Sequence, residues 1–184
     1  MKAIFVDRDG VINKYPGDGD YVKSWEEFHF LPRVKPALKR LNQAGFQIFV
    51  ISNQAGVSKG MYSREALDLL TENMLKALAR SGVRISAVHY CTHQDKDRCA
   101  CRKPETGLVD RVKAAAQKKG DAISLSESYF VGDTPRDIET GRKAGLKTIL
   151  VFSGREKPEN KKKWPLQPDS IAKDLYEAAR IILK

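Results

Sequence analysis

Asp7 and Asp9, in Asp7-Arg8-Asp9-Gly10-Val11-Ile12, follow directly on the apolar run Ala3-Ile4-Phe5-Val6. Two carboxylates held at the mouth of a strand can divide labour, one attacking as a nucleophile while the other gives and later takes a proton. Taken alone, Asp-x-Asp-Gly fits a simple turn as well. A calcium loop would need further oxygen ligands and a closing Glu, which the following residues lack. Three more segments widen the pattern. Ser52-Asn53-Gln54 closes a second apolar run and offers a hydroxyl and main-chain N–H groups to an anion. Lys103, in Cys101-Arg102-Lys103-Pro104, supplies a positive charge ahead of a helix. Gly132-Asp133-Thr134-Pro135-Arg136-Asp137 sets two carboxylates four apart at another strand end, where Thr134 and Asp137 would also cap a helix. Each segment is common; the ordered set is not.

All three cysteines fall between Cys91 and Cys101, together with one of three histidines. Cys91-x-His93-x5-Cys99-x-Cys101 provides four zinc-type ligands and leaves no position open, as a structural tetrahedral site requires. Such a site would pin the loop that delivers Arg102 and Lys103. His29 and His89 have no such company and are expected to be packing or surface residues.

These groups need elements to hold them. Apolar runs at Lys2–Val6, Phe46–Ile51, Ala87–Tyr90, Tyr129–Val131 and Thr148–Phe152 predict five strands. Between them, Val34/Ala37/Leu38/Leu41, Leu67/Leu70/Met74/Ala77/Leu78 and Leu108/Val112/Ala115/Ala116 follow helical spacing. Ser63 and Thr134 are expected N-caps, with Pro135 at the first helical position. Gly45, Gly82, Gly120 and Gly145 each follow a helical stretch, where a left-handed residue ends the helix. The alternation predicts an α/β fold of three layers: a Rossmann-like parallel sheet flanked by helices, with ligands beyond the carboxyl ends of its strands. One domain, 1–184, is expected. It would carry a lid insertion at 13–31, a zinc loop at 91–103, and at 153–184 a basic connector and a closing helix marked by Ile171, Leu175, Ala178 and Ile182.

With 41% hydrophobic and 30% charged residues, the composition excludes a mostly disordered or collagen-like chain. No apolar run approaches the ~20 residues of a membrane helix, and no export signal precedes Asp7, so a cytoplasmic protein with reduced thiols is expected. The net charge of +10 suits anionic ligands from sugar phosphates to nucleic acid. Only 8% of residues are aromatic, and no basic stretch carries the interleaved rings of a strand-binding groove, which disfavours nucleic acid.

Asp7/Asp9, Ser52, Lys103 and Asp133/Asp137 together resemble the four motifs of the haloacid dehalogenase-like phosphohydrolases, over residues 1–152. The resemblance implies a Mg²⁺-dependent phosphatase working through an aspartyl-phosphate. Asp7 would attack phosphorus and Asp9 would act as acid and base. Ser52 and Lys103 would neutralise the phosphoryl group. Mg²⁺ would sit on Asp7, Asp133 and the Asp9 carbonyl, with Asp137 behind them. The zinc loop followed by Cys-Arg-Lys-Pro is similar to the subgroup of histidinol phosphatases and heptose-bisphosphate phosphatases, and Ser52–Gly60 and Asp20-Tyr21-Val22 lie closer to the latter. That subgroup implies a small phosphorylated sugar as the partner of a monomeric enzyme, contacted by Arg8, Asp18, Gly19, Asp20, Tyr21, Asn53, Gln54, Ala55, Lys59 and Arg102. Histidinol phosphate is the alternative substrate; a nucleic-acid 3′-phosphatase is the alternative of another class.

Overall fold

The computed structural model describes residues 1–184. Six strands form one sheet: β1 (Ala3–Val6), β2 (Gln47–Asn53), β3 (Ala87–Cys91), β4 (Tyr129–Gly132), β5 (Lys147–Val151) and β6 (Ser170–Ala172). Their spatial order is β3-β2-β1-β4-β5-β6, and every pairing is parallel. Four α-helices join successive strands, α1 (Val34–Gln43), α2 (Arg64–Ala79), α3 (Gly107–Lys118) and α4 (Pro135–Lys143), and α5 (Leu175–Ile182) follows the last strand.

The period of two along a strand divides the core. In β1, Ile4 and Val6 face a cluster with Leu38 and Leu41 of α1, Leu70 and Met74 of α2, and Ala178 of α5. Ala3 and Phe5 face the opposite cluster, with Phe49, Ile51 and Phe130 of the sheet and Leu108 and Val112 of α3. Phe5 stacks at 5.4 Å on Phe49 and 6.3 Å on Phe130. Both faces of the central strand are therefore buried, which is why its sequence is an unbroken apolar run. The expected three-layer α/β architecture is present.

Local signals explain the helix ends. Ser63 Oγ accepts from the Ala66 N–H at 3.1 Å, and Thr134 with Asp137 forms a capping box ahead of Pro135. Gly45, Gly82, Gly120 and Gly145 have φ between 74° and 84°, as the left-handed helix ends require. The end of the chain departs from expectation. Ile171 was expected in the closing helix but lies in β6, paired with Leu150. The helix starts only at Leu175, where Asp174 accepts from the Glu177 N–H at 2.9 Å. A three-residue strand is too short to display a period of its own.

Residues 13–31 contain no helix and only isolated bridges, from Asn13 to Asp9 and from Asn13 to Phe30. Their far end is anchored: Trp25 stacks on Phe28 at 5.1 Å, Phe30 meets both edge-on at 6.3 and 5.0 Å, and the three pack on the main core. No helix is long and apolar enough to cross a membrane.

Candidate active site and metal centres

Strand order reverses between β1 and β4, so the crevice for a ligand opens beyond their carboxyl ends. Asp7 follows β1 and Asp133 follows β4, with the Asp7 N–H bonded to Val131 O at 3.0 Å across the gap. Ser52 and Asn53 end β2. A pocket at this place is lined by Asp7, Asp9, Ser52, Asn53, Arg102, Lys103, Asp133, Thr134, Arg136 and Arg155, and by Tyr15–Gly17 and Gly19–Tyr21 of the insertion. Nearly all of these are polar, so its occupant is polar too.

Lys103 organises the centre. Its side chain is 3% exposed, and Nζ donates to Asp7 Oδ2 at 2.9 Å, Asp137 Oδ1 at 2.6 Å and Ile51 O at 3.1 Å. Its backbone is clamped by the Asn53 side chain, which donates to Lys103 O and accepts from Lys103 N, both at 3.1 Å. Asp137 is fully buried; its other oxygen caps α4 through Thr134 N and Oγ1 at 3.0 and 2.7 Å. Asp133 Oδ2 accepts from the Arg155 N–H at 2.7 Å. Gly10, at φ 80°, and Gly154 pack against the Asp133 carboxylate, and a Cβ on either would collide with it.

Three carboxylates, Asp7, Asp133 and Asp137, thus converge within 4.8 Å around one ammonium. Burial pushes Asp7 up to about 6, with the Lys103 charge opposing and the Asp137 charge adding. Burial, then Asp137 and Asp7, pushes Asp133 well above the ordinary carboxylate range. Burial alone would depress Lys103, but Asp137 and Asp7 together hold it above its usual value. This excess of hard oxygen donors and negative charge suits a small divalent cation. Asp7 and Asp133 would hold it. The Asp9 side chain is engaged elsewhere, which leaves its carbonyl as the donor expected of that residue.

A pH dependence follows. Without a cation, Asp7 and Asp133 bind protons more tightly folded than unfolded. For Asp7 that contribution to stability is full below pH 3.8, the ordinary carboxylate value, and is lost as pH rises through about 6. Magnesium should relieve the repulsion, so it should raise the melting temperature more at pH ~7.5 than at ~5 in a thermal scan. An equal shift at both would contradict this charge balance.

The second centre lies on the loop after β3. The Sγ atoms of Cys91, Cys99 and Cys101 are 3.2–3.6 Å apart, and His93 Nδ1 is 3.6 Å from Cys91 Sγ and 3.3 Å from Cys101 Sγ. These are the edges of a tetrahedron whose corners stand roughly 2.0–2.3 Å from its centre, the dimensions of a closed zinc site. The loop also aims Arg102: Nε donates to Asp95 at 2.6 Å and Nη1 to His93 O at 3.3 Å. Purified protein should hold about one zinc per chain through ordinary purification, given apparent binding energies of ~10–16 kcal/mol for structural sites. Cys99→Ala should lose that zinc and slow turnover without changing the magnesium requirement. A zinc-free preparation of full activity would contradict the assignment.

The expected site residues separate into three groups. Asp7, Asp9, Ser52, Lys103 and Asp133 line the pocket, with Gly19, Asp20, Tyr21, Asn53 and Arg102. Asp18 and Lys59 stand at its rim. Asp18 pairs with Arg155 at 2.8 Å and Tyr15 at 2.5 Å, and Lys59 Nζ lies 3.3 Å from the Tyr21 hydroxyl. Arg8, Gln54 and Ala55 are expected at the substrate, but their side chains are buried, those of Arg8 and Gln54 against Asp9, and do not line the pocket. Arg136, Arg155, Tyr15 and Thr134 line it without having been foreseen. Arg155 could have been found by the strand-end rule, since it lies four residues beyond β5.

The likenesses agree with this geometry. A family model described as HAD-hydrolase-like matches residues 100–178. A D-glycero-D-manno-heptose-1,7-bisphosphate 7-phosphatase of Chlorobaculum tepidum is 35% identical, over 96% of this chain and 92% of that protein. A D-glycero-beta-D-manno-heptose-1,7-bisphosphate 7-phosphatase of Pseudomonas putida is 32% identical, over the whole of both. The crystal structure of a D,D-heptose 1,7-bisphosphate phosphatase from Bordetella bronchiseptica, complexed with magnesium and phosphate, superposes with a TM-score of 0.84 at 32% identity, over 100% of this chain and 98% of that one. With two carboxylates at one strand end, an anchored lysine and an acidic cluster at the switch point, the chain belongs to the haloacid dehalogenase-like phosphatases, phosphoric monoester hydrolases, within the family of the heptose-bisphosphate 7-phosphatases.

Proposed function

We propose that this chain is a Mg²⁺-dependent phosphatase that removes the 7-phosphate of a D-glycero-D-manno-heptose 1,7-bisphosphate. Asp7 attacks phosphorus, the phosphorus–oxygen bond to C7 breaks, and Asp9 gives its proton to the departing oxygen. Water then attacks the aspartyl-phosphate, Asp9 takes a proton from it, and Asp7 is released with inorganic phosphate. Lys103 aims the nucleophile through Asp7 Oδ2, while Ser52 and Lys103 offset the charge of the phosphoryl group. Bound Mg²⁺ supplies Lewis-acid neutralisation between the carboxylate and the phosphate dianion. Residues 13–31 serve as a lid over a single-domain, monomeric, cytoplasmic enzyme that takes a small phosphorylated sugar rather than nucleic acid.

The observation that carries the substrate class is the set of arginines. Arg102, Arg136 and Arg155 line the pocket in addition to Lys103, more positive charge than one reacting phosphate needs. In the free protein Arg102 and Arg136 face Asp95 and Arg155 faces Asp18, exposed carboxylates from which a second, non-reacting phosphate can draw them, and its binding energy can lower the barrier. Histidinol phosphate carries an ammonium group instead, for which the pocket offers Asp20. The test is kcat/KM on both substrates for wild type and Arg102→Ala. Losing one charged contact should cost the bisphosphate ~10–100-fold and a monophosphate far less. A wild-type preference of tenfold or more for histidinol phosphate, about 1.4 kcal/mol, would overturn the heptose assignment.

A further inference from the structure

Arg8 is the largest fully buried side chain of the protein, at 0% exposure, and no step above uses it. Its Nε donates to Asp9 Oδ1 at 3.3 Å, and its Nη2 to Asp9 Oδ1 at 3.0 Å and Oδ2 at 3.1 Å. Nη2 also reaches Gln54 Oε1 at 3.2 Å. Gln54 is equally buried, and its backbone N–H is tied to Cys91 O at 2.7 Å. Its Oε1 accepts a second hydrogen bond, from the Tyr62 hydroxyl at 2.6 Å. Two donors on the oxygen side fix the orientation of the amide. Nε2 therefore faces Asp9 Oδ2 at 2.7 Å and Ser52 Oγ at 3.2 Å. Asn13 Nδ2 closes the ring on Asp9 Oδ1 at 2.8 Å.

We propose that Arg8, seconded by Gln54 and Tyr62, is a positioning residue for the reaction: it fixes the Asp9 carboxylate at the place from which Asp9 serves the leaving oxygen. This rests on the role of Asp9 given above and deepens it. The buried guanidinium is a poor device for stability. Its Nη1 has no acceptor, and replacing a buried ion pair as a whole by apolar groups is often neutral or stabilising, so the pair is not explained by stability. Nor can it touch a ligand, having no exposed surface. What it provides is a carboxylate gripped on both oxygens. Proton transfer is steep in geometry, and a displacement of about 1 Å can cost ~10²-fold.

The test compares leaving groups in protein supplied with magnesium. A primary sugar phosphate releases an alkoxide that needs a proton, whereas p-nitrophenyl phosphate releases an anion that does not. kcat/KM reports the events up to that bond cleavage. Arg8→Met should lower kcat/KM for the sugar phosphate by ~10²-fold and for the aryl phosphate by less than ~5-fold, with Arg8→Lys recovering part of the loss. Tyr62→Phe, which deletes one hydroxyl and keeps the ring, should give a smaller loss with the same selectivity. Equal losses on both substrates would make Arg8 merely structural and overturn the proposal. Asp9→Asn separates the two levels. An equal loss there would overturn the role of Asp9, and this proposal with it. A selective loss in Asp9→Asn without one in Arg8→Met and Tyr62→Phe would overturn the proposal alone. If Arg8→Met does not fold, Tyr62→Phe decides: a selective loss supports the network, and an equal loss or none contradicts it.

Discussion

Asp7→Asn is expected to abolish phosphate release, by more than ~10⁴-fold, while the protein remains folded. Only Asp7 combines a strand-end position, an orienting Lys103 at 2.9 Å and a place in the pocket lining. Asp137 is tied to Lys103 and Thr134 with no exposed surface, and Asp133 is held by the Arg155 N–H, so neither can replace it. An amide at position 7 is too weak a nucleophile to form the phosphoryl intermediate. Asp9→Asn should be milder, slowing turnover by ~10²–10⁴-fold, the range of a general acid–base group. The stability of the Asp7 variant carries a second expectation. Burial raises the pKa of Asp7, so its charge costs folding free energy near neutral pH, and neutralising it should leave the metal-free melting temperature unchanged or higher. A drop of several degrees would mean that Lys103 stabilises the cluster more than burial strains it.

Lys103→Met should show the opposite combination, with loss of both activity and stability. It leaves Asp7, Asp133 and Asp137 converging with no cation of the protein's own, and breaking a buried ion pair from one side costs ~3–5 kcal/mol. Activity should fall by about 10³-fold, the scale of losing one preorganised charge-stabilising donor. Adding Asp137→Asn to this variant should return part of the stability, because it removes one of the stranded charges, yet restore no turnover. Urea unfolding in magnesium-free buffer and steady-state phosphate release measure the two effects separately. A single variant as stable as wild type would show that Lys103 is not the counter-charge of the cluster.

Much of the fold was legible because buried parallel strands write themselves as apolar runs. Ala3–Val6 is covered on both faces and reads as an unbroken hydrophobic run. The capping box at Thr134 and Asp137 and the glycines after four helices are local chemistry, visible without tertiary context. β6 was hidden because three residues carry no period. The anchoring of the insertion by Trp25, Phe28 and Phe30 was hidden because the packing of irregular chain depends on what lies beneath it. In the site, acids and bases at strand ends were found by type and spacing. Arg8 is expected at the substrate through the subgroup likeness, yet in the bend after β1 it is fully buried while Asp7 and Asp9 line the pocket. Arg136 and Arg155 looked like members of a diffuse basic surface. What distinguishes them is that α4 and the chain after β5 both begin at the rim of one crevice.

In the proposed reaction Asp7 carries the phosphoryl group. Acid-quenching the enzyme during turnover of a phosphorylated sugar, then treating it with borohydride, reduces an acyl phosphate to an alcohol. Peptide mass spectrometry should then find homoserine at position 7 and nowhere else, and no such product from Asp7→Asn. Homoserine at another aspartate, or none while phosphate release proceeds at full rate, would contradict the covalent mechanism.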